Sequence, residues 1–245
     1  MKSLWRLPPE TYKNLAVRCA PGVHEAACAL ITSHVPMRGA VLDLAAGTGS
    51  WLARINDAGF KELTAVELDL EEFKLEGVKP RPIDLNSLFS KEFDSSFQLV
   101  TAIEIIEHLD CPRAFLREIH QLLCPGGYLL LTTPNIGHWA GRLRFLLWAE
   151  HRYFKESDYH EQRHISPVSH IHMCLMFREI GYKLIAHRTA GTFFTPLKKI
   201  VTAGLSLPFQ VLFGSNTDGD ANIYLAQKTD PDVTLTGKDS YYFKK

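Results

Sequence analysis

Three side chains with acid–base or metal-binding chemistry lie close together in the sequence EIIEH, at Glu104, Glu107 and His108. Their spacing of i, i+3 and i+4 places all three on one face of a helical turn. Two carboxylates and an imidazole on one face can hold a divalent cation such as magnesium, manganese or zinc, when a further ligand comes from elsewhere. The best outside ligand is His164, in the sequence QRHISP. Alternatively, His108 acts without a metal as a general base near neutral pH. Both interpretations stay open.

A second group of candidate binding residues surrounds a glycine turn at residues 45–49 (AAGTG), between a predicted strand and a predicted helix. Asp43 ends the strand before the turn, and Glu67 ends the next predicted strand. Such a turn lets backbone approach a ligand closely, and an acidic residue about 20 positions later is placed to accept hydrogen bonds from ribose hydroxyls. In the alternative interpretation, Asp43 caps the helix and Glu67 is merely exposed. The turn lacks G-x-G-x-x-G, which argues against a dinucleotide.

Alternating strands and helices through residues 40–133 predict the scaffold that positions these groups. Such alternation is typical of βαβ units with a parallel sheet and helices on both faces. Helices are predicted at 51–59, from about Pro112 and at 168–180, and residues 193–214 are predicted to be apolar but irregular. The predicted strands are 40–45, 63–68, 80–84, 97–103, 128–133, 182–189 and 222–228.

Composition and charge restrict the class of protein. Of 245 residues, 46% are hydrophobic and 22% are charged, which is typical of a globular domain. The 27 basic and 27 acidic residues cancel, so there is no global basic field for DNA or an anionic membrane, although a local patch remains compatible with either. Five cysteines without a C-x-x-C pair predict reduced thiols and a cytoplasmic location. The longest apolar candidate, residues 200–213, is shorter than the roughly 20 residues of a membrane span, so no transmembrane segment is predicted.

Several segments, taken in order, resemble the successive motifs of class I S-adenosylmethionine-dependent methyltransferases, especially the branch with quinone-biosynthesis and other small-molecule enzymes. These segments are VLDLAAGTGSW (41–51), AVELD (65–69), the turn at Asp84, LVTAIEIIEHLDCP (99–112) and LLCPGGYLLLTTPN (122–135). The resemblance implies a single-domain, Rossmann-like α/β fold. Its sheet would be seven-stranded and mostly parallel, with an antiparallel last strand and helices on both faces.

The same resemblance implies that S-adenosylmethionine is the methyl donor. The glycine turn would approach its methionyl part, Glu67 would hold the ribose, Asp84 would face the adenine amino group, and the strand end at 103–104 would lie beside the sulfonium. Ala45 stands where the family usually has its first glycine, which is tolerable if its φ stays negative. The expected cofactor-binding residues are Asp43, Ala45, Gly47, Gly49, Glu67, Asp84, Ile103 and Glu104.

One domain is expected over residues 1–228, with an N-terminal helical cap at 1–37 and a polar tail at 229–245. Segments 136–166 and 191–219 are expected to act as lids over the edge where the methyl group is delivered. The first lid carries an apolar helical stripe beside arginines. This stripe suits a lipid-linked acceptor and peripheral membrane contact, but the favoured interpretation is a lid helix that packs its apolar face on the core.

The expected activity is methyl transfer from S-adenosylmethionine to a small-molecule or lipid-linked acceptor, on oxygen. The candidate catalytic residues are His108, Glu104 and Glu107, because a hydroxyl acceptor must lose its proton to a base or with the help of a metal. One alternative is a metal-assisted RNA 2′-O-methyltransferase. Another is a regulatory protein that binds the cofactor without catalysis. No DNA partner is expected.

Overall fold

The computed structural model describes residues 6–214 and 217–232. Its strands are β1 (Thr11–Tyr12), β2 (Leu15–Ala16), β3 (Val41–Leu44), β4 (Leu63–Val66), β5 (Phe97–Ala102), β6 (Leu123–Pro134), β7 (Tyr182–Ala190) and β8 (Ala221–Lys228). Six of them form one sheet in the order β4-β3-β5-β6-β8-β7. β4, β3, β5 and β6 run parallel, whereas β8 pairs antiparallel with both β6 and β7. This confirms a mostly parallel α/β sheet whose last strand is antiparallel.

Helices cover both faces of the sheet. They are α1 (Val23–His34), α2 (Ser50–Asp57), α3 (Pro112–Leu122), α4 (Trp139–Trp148), α5 (Glu156–Gln162), α6 (His170–Ile180) and α7 (Pro196–Phe213). α1 and α2 pack on one face, and α3 and α6 pack on the other. Because side chains alternate along a strand, Leu42 and Leu44 enter the core under α3 and α6, while Val41 enters the core under α1.

The predicted strand at 80–84 is reduced to one bridge, so the seven-strand prediction is wrong by one strand for the described residues. Arg81 donates its N–H to the Ala65 carbonyl at 2.9 Å and accepts the N–H of Glu67 at 3.1 Å. The next donor that a parallel ladder would use, the Ile83 N–H, instead bonds back to the Arg81 carbonyl at 3.1 Å. The ladder therefore stops at Arg81.

The helical cap predicted at 1–37 is wrong for residues 11–16, and residues 1–5 lie outside the described range. β1 and β2 form a hairpin whose two turn residues, Lys13 and Asn14, have φ of 50° and 64°. Two consecutive left-handed residues are typical of a tight hairpin turn and incompatible with a helix. The helix begins only at Val23, after Pro21 and Gly22. Most of the predicted polar tail, from 233 onward, is also outside the described residues.

Both predicted lid segments contain helices. Residues 136–166 hold α4 and α5, and residues 191–219 hold the 18-residue α7. The prediction of an irregular segment at 193–214 is wrong, because the Thr195 side chain caps the helix by accepting the Lys198 N–H at 3.3 Å and Pro196 suits the first turn. The prediction that α4 packs its apolar face on the core is also wrong beyond Trp139, since residues 145–148 are exposed. Within 6–214 and 217–232, no helix combines the length and hydropathy needed to cross a membrane.

Candidate active site

Two adjoining cavities lie at the edge of the sheet where the parallel strands end. The smaller, of about 100 Å³, is lined by the glycine turn, Asp43 and Ile103. The larger, of about 820 Å³, is bordered by residues of both lid segments. Glu104 lines both cavities and so stands at their junction. The edge therefore offers two connected compartments, as a reaction between two bound molecules requires.

The glycine turn has a left-handed backbone at three positions. The φ angles are 59° at Ala45, 53° at Gly47 and 85° at Gly49. The expectation that Ala45 keeps a negative φ is therefore wrong. A non-glycine residue in this conformation costs about 1–2 kcal/mol. The turn keeps its shape at Ala45 despite that cost.

The two glycines of the turn are needed for different reasons. A Cβ built on Gly49 would lie 2.6 Å from the Leu75 Cβ and 3.1 Å from the Phe73 ring. Gly49 therefore lets these two side chains pack closely against the turn. A Cβ on Gly47 would meet only the Arg18 Cγ, at 3.8 Å. Gly47 thus faces open space in the smaller cavity, where a ligand can approach its backbone.

Glu67 is fixed against the turn by two backbone hydrogen bonds. Its Oε2 accepts the Gly47 N–H at 2.7 Å, and its Oε1 accepts the Asp69 N–H at 3.0 Å. The side chain is half-buried, so each oxygen keeps a lone pair for a ligand hydroxyl. Asp84 is exposed and outside the linings of both cavities, and its Oδ1 accepts the Asn86 N–H at 2.9 Å.

Asp43 is fully buried in the wall of the smaller cavity. It accepts a hydrogen bond from the Thr101 hydroxyl at 2.7 Å. Burial, with the nearby charge of Glu67, raises the pKa of Asp43 to about 7. Sequence reasoning missed two further wall residues, His24 and Trp51, whose Nδ1 and Nε1 are buried without a hydrogen-bond partner among the described residues. Unpartnered polar atoms in a cavity wall suit a polar ligand.

The EIIEH residues do not share a helical face, contrary to the prediction. Glu104 has a φ of 49°, and a single 3₁₀ turn, Ile106–His108, follows before α3 begins at Pro112. The Glu104 carboxylate accepts a hydrogen bond from the Thr132 hydroxyl at 2.7 Å. Burial raises the pKa of Glu104 to about 7. This carboxylate is therefore held on β6 rather than beside Glu107.

Glu107, His108 and His164 come together in the wall of the larger cavity, each offering one ligand atom within 4.8 Å of the others. Glu107 is fully buried, and burial raises its pKa well above the usual value. Its Oε2 accepts from the Thr133 hydroxyl at 3.1 Å. Its Oε1 has no hydrogen-bond partner among the described residues and lies 3.9 Å from the His108 Nε2.

The two imidazoles are held in defined orientations. Their rings meet edge to face, with centroids 4.7 Å apart. The His164 Nδ1 lies 2.7 Å from the Tyr153 carbonyl, to which it donates a proton, so its Nε2 is left as an acceptor. Burial, and then the neighbouring His164, lower the pKa of His108. His108 is therefore neutral at pH 7 and able to accept a proton.

This trio also fits a divalent cation chemically. A buried carboxylate oxygen without a partner, beside two imidazoles, is a donor set that zinc or manganese accepts. The Tyr153 carbonyl that accepts from the His164 Nδ1 orients the imidazole, and metal-binding histidines typically have such a partner on their other ring nitrogen. The structure thus brings three of the four predicted ligands together and leaves Glu104 out.

Charged side chains of both signs line the larger cavity. They include the cations Arg6, Arg152 and Lys198 and the buried carboxylate of Asp220. An Arg152 Nη1 lies 2.8 Å from an Asp220 Oδ1, and the Lys198 ammonium lies 3.7 Å from the centroid of the Phe194 ring. Sequence reasoning missed these charges, because they come from four separate segments with no local pattern to signal them.

Comparisons with known proteins agree with this geometry. The methyltransferase-domain family matches residues 13–187. A curated relative, the mitochondrial ubiquinone biosynthesis O-methyltransferase of Dictyostelium discoideum, is 21% identical over 153 residues, which are 55% of this chain and 47% of that protein. The aligned part thus spans about half the length of that relative.

Solved structures share the fold at low identity. A S-adenosylmethionine-dependent methyltransferase from Archaeoglobus fulgidus superposes with a TM-score of 0.55 and 18% identity, covering 84% of this chain and 94% of that one. The 1,6-didemethyltoxoflavin-N1-methyltransferase of Burkholderia thailandensis, solved with S-adenosylhomocysteine, superposes with a TM-score of 0.52 and 17% identity. The match covers 84% of this chain and 78% of that one. The [4+2]-cyclase SpnF superposes with a TM-score of 0.56 and 16% identity, and the match covers 84% of this chain and 81% of that one. Because a cyclase shares this fold, the fold alone does not identify the reaction, which depends on the residues of the site.

Proposed function

Because this chain belongs to the methyltransferase-domain family and is an S-adenosylmethionine-dependent methyltransferase, we propose that it methylates a hydroxyl oxygen of a small-molecule or lipid-linked acceptor. The observation that carries this proposal is the pair of cavities joined at Glu104, with His108 in the wall of the larger one. The named activity of the Dictyostelium discoideum relative, an O-methyltransferase, supports an oxygen acceptor.

The smaller cavity is the donor compartment in this proposal. S-adenosylmethionine supplies a methyl group on a sulfonium, which needs alignment rather than activation. Glu67 accepts hydrogen bonds from the ribose hydroxyls, and the backbone at Gly47 lies against the methionyl part. Ile103 and Glu104 form the end of the cavity nearest the acceptor. Asp84 reaches the adenine amino group from its exposed turn, with the Oδ2 that Asn86 leaves free.

The larger cavity is the acceptor compartment. A neutral His108 takes the proton of the acceptor hydroxyl as the oxygen–carbon bond forms and the carbon–sulfur bond breaks. The products are the methyl ether, the demethylated donor and a protonated imidazole, which Glu107 Oε1 at 3.9 Å stabilises when ionised. Arg6 and Lys198, which line this cavity, can each pair with a carboxylate or phosphate group of the acceptor.

The second role proposed for this cluster is cation binding. Glu107, His108 and His164 would hold a divalent metal, which lowers the pKa of a hydroxyl bound to it. In that case His108 is a ligand and does not accept the proton. Chelation separates the two roles.

The donor assignment is tested by calorimetric titration of S-adenosylhomocysteine into the Glu67→Ala variant. Loss of two charge-assisted hydrogen bonds, at about 1.5 kcal/mol or more each, should weaken affinity by about 100-fold. Glu71→Ala is the matched control, because Glu71 is exposed on the same segment and its carboxylate forms no hydrogen bond within the described part of the chain. Equal affinity in the Glu67→Ala and Glu71→Ala proteins would overturn the ribose assignment.

The acceptor chemistry is tested with labelled donor and a phenolic acid, protocatechuate, as the probe acceptor. His108→Ala should lower the rate by about 10²–10⁴-fold, while His160→Ala, an exposed histidine outside the cluster, should leave it unchanged. Unchanged activity of wild-type protein after exhaustive chelation would assign the base role. Loss of activity that manganese or zinc restores would assign the metal role. An unimpaired His108→Ala enzyme would exclude both.

A further inference from the structure

The outward surface of the second lid is apolar, and that of the first lid helix joins it. Of the nineteen large hydrophobic residues exposed in the described part of the chain, twelve lie on α4 and α7. We call these twelve the apolar surface: Phe145, Leu146, Leu147, Trp148, Leu197, Ile200, Val201, Leu205, Leu207, Val211, Leu212 and Phe213. The two helices touch where the Arg142 guanidinium lies 4.4 Å from the centroid of the Phe213 ring. Soluble monomers rarely expose so many contiguous apolar side chains without a binding role.

The polarity of α7 is inverted relative to a helix of an ordinary globular domain. Its half-buried face carries Lys198, Thr202, Ser206 and Gln210, at i, i+4, i+8 and i+12, together with Ala203 and Phe209. Its solvent face carries the apolar residues, with Val211 82% exposed. No residue of the 18-residue helix is buried. A globular helix directs its apolar stripe to the core, so this orientation requires an apolar environment outside the chain.

The charges beside the apolar surface identify that environment. Neither α4 nor α7 contains an acidic residue, and together they carry four basic ones: Arg142, Arg144, Lys198 and Lys199. Arg144 pairs with Glu150, and Lys198 faces the cavity. Arg142 and Lys199 are exposed and form no ion pair within the described residues. Two copies meeting through this surface about a twofold axis would bring like charges together. An anionic lipid surface has the complementary charge.

We propose that α4 and α7 dock this protein on the surface of an anionic lipid bilayer. α7, about 27 Å long at 1.5 Å per residue, lies in the interfacial plane with its apolar side toward the acyl chains. Arg142 and Lys199 contact lipid phosphates. Lys198, in the first turn of α7, also lines the larger cavity, so the docked protein presents the acceptor compartment near the membrane. The position of the acceptor compartment near the membrane rests on the proposed function, whereas the docking itself does not.

Vesicle flotation of the full chain tests the docking without methyl donor or acceptor, so a failed methylation assay cannot be confused with failed docking. Wild-type protein should float with vesicles of equal parts phosphatidylcholine and phosphatidylglycerol. The combined Ile200→Gln, Val211→Gln, Leu212→Gln variant should partition about 1,000-fold less, since each buried aliphatic side chain contributes about tenfold. The matched control is Met37→Gln, Leu88→Gln, Ile171→Gln, which are also exposed residues, outside the two helices, and should leave flotation unchanged.

Two further measurements keep the result interpretable if a variant folds poorly. Trp148 is exposed at the end of α4, Trp51 and Trp139 are buried, and the fourth tryptophan, Trp5, lies outside the described residues. In a Trp5→Phe protein, the fluorescence should therefore shift to the blue when vesicles are added. Lys199→Gln should weaken binding to the anionic vesicles by about fivefold and leave binding to pure phosphatidylcholine unchanged. Wild-type protein that stays unbound, a triple variant that floats normally, or a wild-type dimer in sedimentation that the triple variant abolishes without vesicle binding would each overturn the proposal.

Discussion

The two glycines of the donor turn should respond differently to the same added methyl group. For Gly47→Ala, the new Cβ would have its nearest neighbour at 3.8 Å, so the cost to folding is the left-handed φ of 53°, about 1–2 kcal/mol. The same Cβ points into the cavity assigned to the methionyl group. We therefore expect a folded protein with a modestly lower Tm that has lost most of its affinity for S-adenosylhomocysteine.

For Gly49→Ala, the new Cβ would lie 2.6 Å from the Leu75 Cβ, so overpacking adds about 1–3 kcal/mol to the strain of a φ of 85°. A total of about 2–5 kcal/mol is a large part of the stability of a single domain. Urea denaturation gives the free energy of unfolding, and calorimetry gives the affinity. The reasoning would be refuted by a Gly47→Ala protein that binds normally, or by a Gly49→Ala protein as stable as wild type.

Three further predictions concern other positions. Ala45 has a φ of 59°, so Ala45→Gly should raise the free energy of unfolding by up to about 1 kcal/mol. The variant loses the left-handed strain, and the higher entropy of its unfolded state offsets part of that gain. A lower Tm would contradict this prediction. Asp43 has a pKa of about 7 in the fold against 3.8 as its reference, so the native state binds the extra proton and stability falls as pH rises from about 4 to 7, by at most about 4 kcal/mol. Asp43→Asn should remove the part of this slope that Asp43 contributes, leaving the part from Glu104, whose pKa is also raised to about 7. In denaturation series the variant should be more stable than wild type at pH 8. Arg152→Gln leaves the buried Asp220 without its cation at 2.8 Å and should cost about 3–5 kcal/mol in urea denaturation, unlike the exposed, solvent-screened Arg188→Gln.

The sequence alone was sufficient for elements whose causes are local. An apolar run bounded by glycine predicted β3, a second apolar run predicted β5, and Pro112 with its helical apolar face predicted α3. The glycine turn and the positions of Asp43 and Glu67 followed from their places at the ends of neighbouring strands. These features depend on residues within a few positions of one another, so a linear pattern contains the information.

Local patterns failed where backbone conformation departs from them. The i, i+3, i+4 spacing of EIIEH predicted a shared helical face, but the left-handed φ of Glu104 separates its carboxylate from Glu107. At 80–84 the ladder stops after Arg81, because the Ile83 N–H bonds back to the Arg81 carbonyl. The hairpin at 11–16 replaced a predicted helix, because Lys13 and Asn14 adopt turn conformations that their residue types only weakly encode.

The tertiary structure alone decided which distant residues meet. His164 reaches Glu107 and His108 because the backbone N–H groups of Ile165 and Ser166 both bond to the Glu107 carbonyl, at 2.9 Å each. The lining of the larger cavity likewise gathers Arg6, Arg152, Lys198 and Asp220 from four segments. The amphipathic pattern of α7 is present in the sequence, but which face meets the protein depends on packing, and packing turned its polar stripe inward. Periodicity gives a helix two faces, and only its contacts determine where each one points.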